Sequence, residues 1–310
     1  MDQTRDKLGR TFFWRRIHSL TGLWIVLFLI EHIITNSQAA LLVGDSGMGF
    51  IRAVNFIKDL PYLPAVEIGL IGTPIALHAV WGIKYALTAK SNSSVTNGTK
   101  PSLPEYGRNR SYTFQRISSW ILLVGIIAHV GYMRFYLYPV EVEEGIHSSY
   151  FVRVSKDPGL YPVAERLGVL IFDQQRIDEV VQAQGPQVVG DNLVEEQRIE
   201  YQKEWVAALQ KRKLKSNQVI AVASDFGTAI LLNVRNAFKS PYEGVLYTIF
   251  VLAAAFHAFN GLWTFMITWG VVLKMRSQRR AVNVCIGLMV LIGLLGLASI
   301  WGTYWVNLKQ

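Results

Sequence analysis

The 310-residue chain is 51% hydrophobic and only 17% charged, with a formal net charge of +9 and a single cysteine. A charge content well below the roughly 25% of soluble domains excludes an ordinary soluble protein and points to membrane-spanning helices. The lone Cys285 excludes a disulfide framework, and iron–sulfur clusters need several thiolates.

Five apolar runs long enough to cross a bilayer are predicted near 17–40, 64–89, 113–137, 243–270 and 281–306. The first follows a basic start with Arg5, Lys7, Arg10, Arg15 and Arg16, and it contains His18 and His32. A cleaved signal ending at Ser37-Gln38-Ala39 is the alternative reading, but Glu31-His32 inside the apolar stretch is unusual for one. The second run holds His78 and is followed by a loop with Lys90, Lys100, Arg108 and Arg110. The third holds His129. The fourth holds His257 and leads through KMRSQRR (274–280) into the fifth, which has no histidine. The loop between the first two runs has only Arg52 and Lys58, so positive-inside bias places the N-terminus inside and the C-terminus outside.

Residues 139–240 differ from the rest, with 12 basic and 14 acidic residues. The chain thus divides into 1–138 (three spans), 139–240 (an outer-face soluble insert) and 241–310 (two spans). Within the insert, 192–215 reads as a helix, with Leu193, Ile199, Trp205 and Leu209 among alternating charges. Segment 218–238 is apolar but carries Asp225 and Arg235, and counting it as a span would throw KMRSQRR to the outer side. The basic excess lies in short loops beside spans, which is membrane topology and not nucleic-acid binding.

The fold class is therefore an all-α membrane protein of five helices, the first four forming a bundle, with an extramembrane insert between helices 3 and 4. Each of those four helices carries one deep histidine, and ionisable groups at such positions mark function by default. His32 and His129 each lie about 6–8 Å from the outer polar boundary, while His78 and His257 each lie about 21 Å down. Two level pairs suit two bis-histidine haems, His32 with His129 outside and His78 with His257 inside. Gly22, Gly72, Gly82, Gly125, Gly131 and Gly261 near these levels would leave room for flat rings, though small residues also serve ordinary helix packing.

Several segments carry a family resemblance. They are RRIHSLTG (15–22), FLIEHI (28–33), KDLPYLPAVEIGL (58–70), ALHAVWGIKYALTAKSN (76–92), FQRISSWILL (114–123), AHVGYMR (128–134) and FHAFNGLWTFMITWG (256–270), followed by RSQR (276–279). In this order they resemble the di-haem, single-polypeptide cytochrome b anchor of succinate:quinone oxidoreductases.

The resemblance implies axial ligation of two haem b by His32, His78, His129 and His257, with a quinone, menaquinone in this type, as electron acceptor. It further implies a flavoprotein and an iron–sulfur protein as partners, and a bacterial inner membrane. A related fumarate reductase subunit carries a glutamate just before its fourth-span histidine. Ala254, Ala255 and Phe256 stand here instead, which tilts the reading to succinate oxidation. The alternatives are that fumarate reductase subunit or the haem-b subunit of another membrane dehydrogenase. A transporter with histidine relays would show internal repeats, and none is found in the five runs.

Glu31, Asp59 and Glu67 are candidates for the proton chemistry of a quinone near the outer surface, against the plainer reading of headgroup-facing acids. His18 suits a haem propionate or a lipid phosphate and is not read as a ligand. For Arg16, Lys84, Arg116 and Arg134, snorkelling to headgroups is the default.

Overall fold

A computed structural model describes residues 2–40, 47–89, 105–144, 147–183, 193–211 and 213–305. Lys90 and Lys100, counted above for orientation, lie outside the described residues, as does the side chain of Leu193. Five described helices are long and apolar enough to cross a membrane: Gly9–Ser37, Leu63–Thr88, Gly107–Tyr136, Pro241–Thr268 and Met275–Trp305. They are labelled by their regular parts as α1 (Asp2–Ser37), α3 (Leu63–Val66) with α4 (Thr73–Thr88), α5 (Gly107–Val130), α10 (Pro241–Thr268) and α11 (Met275–Leu297). Leu27, Val80, Val124, Ile127, Leu246 and Leu294 on these helices are each more than half exposed. Such a surface would aggregate in water and is the normal face of a helix towards lipid.

Three of the spans contain a π-helical turn: Glu67–Gly72 between α3 and α4, Gly131–Tyr136 after α5, and Ala298–Gly302 after α11. A π turn shifts carbonyls off the regular ladder, and in a bilayer each needs a donor. In the first of these turns the Thr73 hydroxyl donates to Ile68 O at 2.9 Å, and the Trp24 indole N–H of α1 donates to Leu70 O at 2.5 Å.

The chain forms two compact units. The first comprises Met1–Asn36, Pro61–Ala128 and Val245–Ala298. Its core is Val26 and Ile33 of α1, Phe259 of α10, and Cys285 and Ile292 of α11. Close approach is built in at Gly125, where a Cβ would collide with the Phe250 ring.

The second unit comprises Ser37–Leu60, His129–Gly244 and Ser299–Gln310. Its centre is an antiparallel sheet in the order β1-β2-β4-β3, formed by Val140–Glu144, His147–Ser155, Gln218–Ala223 and Leu170–Phe172. The two-residue period of a strand sends Tyr150, Val152 and Val154 to one face and Phe151 to the other. The first face packs on α6 (Leu160–Arg166) and α9 (Phe226–Ala237), through Leu160, Val163, Ala164, Ala229 and Leu232. The second face, with Val142, Phe172, Ile220 and Val222, packs on α7 (Gln174–Ala183) and α8 (Leu193–Gln210), through Ile177, Ala208 and Leu209.

The helix expected over 192–215 is α8, and 218–238 is a strand followed by a helix in this unit instead of a sixth span. The sheet itself was not anticipated, because a β4 such as QVIAVA is covered on both faces and shows no alternation. Helix α2 (Met48–Lys58), from the segment between the first two spans, joins this unit at its closest packing point. A Cβ on Gly227 would stand 2.5 Å from Ile51 O and 2.9 Å from Asn55 Oδ1. The Gly227 N–H donates to that Oδ1 at 2.6 Å, and Asn55 Nδ2 donates to Asp225 Oδ1 at 2.8 Å. Asp225 caps α9, accepting from the Thr228 N–H and hydroxyl.

Candidate functional site

In the first unit α1, α4, α5 and α10 bring three histidines together. His78 of α4 stands with its ring centroid 6.2 Å from that of His257 of α10, the planes at 79°. His18 of α1 stacks on His78 at 4.0 Å and 15°. The approach depends on missing side chains: a Cβ on Gly22 would lie 2.8 Å from His78 Cε1, and one on Gly82 would lie 3.6 Å from His18 Cε1. Of the other glycines read as ring clearance, Gly125 serves Phe250, and Gly261 lies beside Gln115.

Hydrogen bonds fix the imidazoles of His78 and His257. His78 Nδ1 lies 3.0 Å from the carbonyl of His18, an acceptor only, so Nδ1 carries the proton and Nε2 keeps its lone pair. His257 Nδ1 lies 3.1 Å from Ser118 Oγ. The Ser118 hydroxyl donates to Gln115 O at 3.0 Å, which leaves its oxygen to accept from His257 Nδ1–H. Nε2 is again the free lone pair. Gln115 secures the same segment by donating to His257 O at 3.0 Å, and it accepts from Asn260 Nδ2 at 2.7 Å.

Two metal–imidazole bonds of about 2 Å each, plus the half-width of each ring, span roughly 6 Å. The His78/His257 separation fits this, with both Nδ1 atoms held as metal-binding histidines usually are. The His18/His78 stack at 4.0 Å is too close to admit an ion between the rings. Among the described residues no cluster of three or more side chains could hold a bare metal ion. The His78/His257 pair would suit a haem, whose iron needs only two ligands from the protein.

The other expected pair is divided between the units. His32 lies in the first, near Phe28 at 5.4 Å between ring centroids, and Asn36 Nδ2 donates to its carbonyl at 2.8 Å. His129 lies in the second, just before the π turn Gly131–Tyr136. Their pairing rests on span depth.

The three candidate acids are similarly dispersed. Glu31 is exposed and accepts from Thr35 one turn along its own helix at 2.9 Å. Glu67 opens the π turn of the second span, and Asp59 is the exposed C-cap of α2 in the second unit. Of the basic groups, Arg16 donates to Thr268 O at 2.5 Å, Arg116 donates to Ala86 O at 3.4 Å, and Lys84 lies over the Trp81 ring. Arg134 lies over Tyr138.

Reading the sequence missed Ser118, Gln115 and Asn260 as supports of His257. Their signal was present as polar side chains within apolar spans, which need partners in lipid.

Over 295 residues the chain is 25% identical to the succinate dehydrogenase cytochrome b558 subunit of Bacillus subtilis, a match covering 94% of this chain and 97% of that one. The chain is a homologue of that cytochrome b subunit. The alignment runs almost end to end, so it includes both units. No family model matches the sequence, and no solved structure matches it.

Proposed function

We propose that this chain is the membrane anchor and electron-transfer subunit of a succinate:quinone oxidoreductase, with two b haems between an iron–sulfur partner and a membrane quinone. The observation that carries this reading is the His78/His257 pair, with ring centroids 6.2 Å apart and both Nδ1 atoms hydrogen-bonded. Haem b, when bound, would supply one-electron transfer.

The residues of this chain hold and tune that group. His78 and His257 would give Nε2 to the inner haem, while the His18 carbonyl and Ser118 Oγ keep their rings in the required tautomer. His32 and His129 would ligate the outer haem. Glu31, Asp59 and Glu67 are the acids proposed to hold and deliver protons to a quinone, menaquinone by resemblance, near the outer surface. The succinate-oxidising flavoprotein and the iron–sulfur protein are partner chains, since neither chemistry has residues for it here.

The proposed orientation has the N-terminus in the cytoplasm and the C-terminus outside. It is supported by the contacts that put α2, between spans 1 and 2, in one unit with the segment between spans 3 and 4. An odd number of spans with these two connections on one face leaves the basic connections on the other.

The test is the reduced-minus-oxidised spectrum of the purified membrane protein. Wild type should show a b-type band titrating with two midpoints. His78→Ala and His257→Ala should each remove the same component, and His32→Ala and His129→Ala the other. A colourless wild-type protein, or His78→Ala removing the component lost in His32→Ala while His257→Ala spares it, would overturn the assignment.

A further inference from the structure

The first unit contains a second feature that the haem reading does not use. A groove of about 730 Å³ runs between α5, α10 and α11. Its polarity is graded along the helices. At one end stand Arg108 and Ser111 from the start of α5, and Arg276 and Arg279 from the start of α11. At the other end the walls are Phe256 and Phe259 of α10 with Ile286 and Met289 of α11. From Arg276 to Met289 the helix rises about 20 Å, comparable to the depth of one leaflet with its headgroup region.

The polar end is built for an anion. No carboxylate is among the residues lining the groove. Two long helices begin there with no acidic residue in the first turn, and Lys274 at the N-cap of α11 makes no side-chain capping bond. The first N–H groups of α11 therefore add their partial positive charge to the guanidinium groups. Arg108 is steadied by Gln278 Oε1 at 2.9 Å and lies over the Trp263 ring. The Trp263 indole N–H is itself buried and, among the described residues, meets no acceptor. An indole N–H in that position could donate to an ester carbonyl below a headgroup.

We infer that this groove is a binding site for one anionic glycerophospholipid, its phosphate on Arg276, Arg279 and the α11 N-terminus and an acyl chain against Phe256, Phe259, Ile286 and Met289. A free anion would use only the basic end, and a neutral isoprenoid would leave three guanidinium groups without a counter-charge. Only a charged headgroup on an apolar tail matches both ends. The inference needs the chain to be in a membrane and does not depend on the haem ligands.

Native mass spectrometry of the full chain tests it, with phosphatidylglycerol and phosphatidylcholine of identical acyl chains added in neutral detergent. Wild type should retain one phosphatidylglycerol in preference to phosphatidylcholine. R276Q/R279Q should lower that occupancy at least about tenfold, while R10Q/R15Q, which removes equal charge from another basic cluster, should not. I286W, which fills the apolar end and spares every arginine, should also lose the lipid, and helical circular dichroism should be unchanged in all variants. Equal retention of the two lipids, equal loss in R10Q/R15Q, full retention in R276Q/R279Q, or an I286W variant that still binds would each overturn it. So would displacement of the lipid by millimolar inorganic phosphate alone, which would mean that only the basic end is used.

Discussion

Ser118 shows how one buried hydroxyl can set the chemistry of a neighbouring ring. With its proton given to Gln115 O, its oxygen accepts from His257 Nδ1–H, and Nε2 keeps the lone pair. Removing such an outer partner typically costs 10–100-fold in affinity for a bound metal centre. Ser118→Ala should therefore lower haem retention at the inner site by about tenfold and shift only one of the two midpoints, read by redox titration. Ser118→Thr, which keeps the hydroxyl, should restore both. At Gly22 the constraint is steric, because even a methyl would stand 2.8 Å from His78 Cε1. Gly22→Val should abolish the inner component of the spectrum and leave helical circular dichroism intact.

Among the elements, α2 buries Phe50 and Ile51 and is also tied to α9 by a small polar hub. Asn55 bonds both to Gly227 N–H and to the capping Asp225. Asn55→Ala would leave that N–H without its acceptor and loosen the cap, at a cost of about 1–3 kcal/mol. Faster proteolysis of the segment between the first two spans measures it. Gly227→Ala should cost about as much for a different reason, since its methyl would press on the Ile51 carbonyl with no flexible side chain to yield. Lys58 fastens the same helix to β1 by pairing with Glu141 at 2.8 Å. Burial works to raise the Glu141 pKa, but the bonds from Lys58 and Tyr150 outweigh it and hold the carboxyl below its ordinary value.

For the whole molecule, pH should act on the sheet-containing unit through Asp157. Its carboxylate receives both NH groups of Arg235, at 3.0 and 2.5 Å, and an ion pair from Lys239. Burial opposes ionisation, yet these cations pull its pKa down from 3.8 to about 2. A depressed carboxylate stabilises the fold above its unfolded pKa, and that contribution is lost as pH falls towards the folded one. Stability of this unit should therefore decline between about pH 4 and pH 2, seen as rising pepsin cleavage within the segment between the third and fourth spans. Asp157→Asn should flatten that acid limb and, by leaving Arg235 buried without its carboxylate, lower stability at neutral pH by about 3 kcal/mol.

What could be read from the sequence follows the range of the interactions involved. Span positions are a local property, since about 20 apolar residues suffice to satisfy the bilayer, and the five expected runs match the five helices to within several residues at their ends. The level of His78 and His257 could be counted because a helix rises by a fixed step, so two residues at equal depth were candidates to meet. Their supports could not be counted, because Ser118, Gln115 and the His18 carbonyl reach them from helices 60 to 142 residues away.

The four-stranded sheet was hidden for a similar reason. β4 is buried on both faces and loses the alternation that announces a strand, β1 and β3 are only 5 and 3 residues long, and the pairing is a long-range choice. By itself the sequence determined that this chain spans a membrane and where it crosses, since bilayer thickness and helical rise act residue by residue. Only the tertiary structure decided that His18 stacks on His78, that Ser118 bonds the Nδ1 of His257, and that α2 falls in one unit with residues 129–244. Those outcomes depend on distances between segments that are remote in the chain.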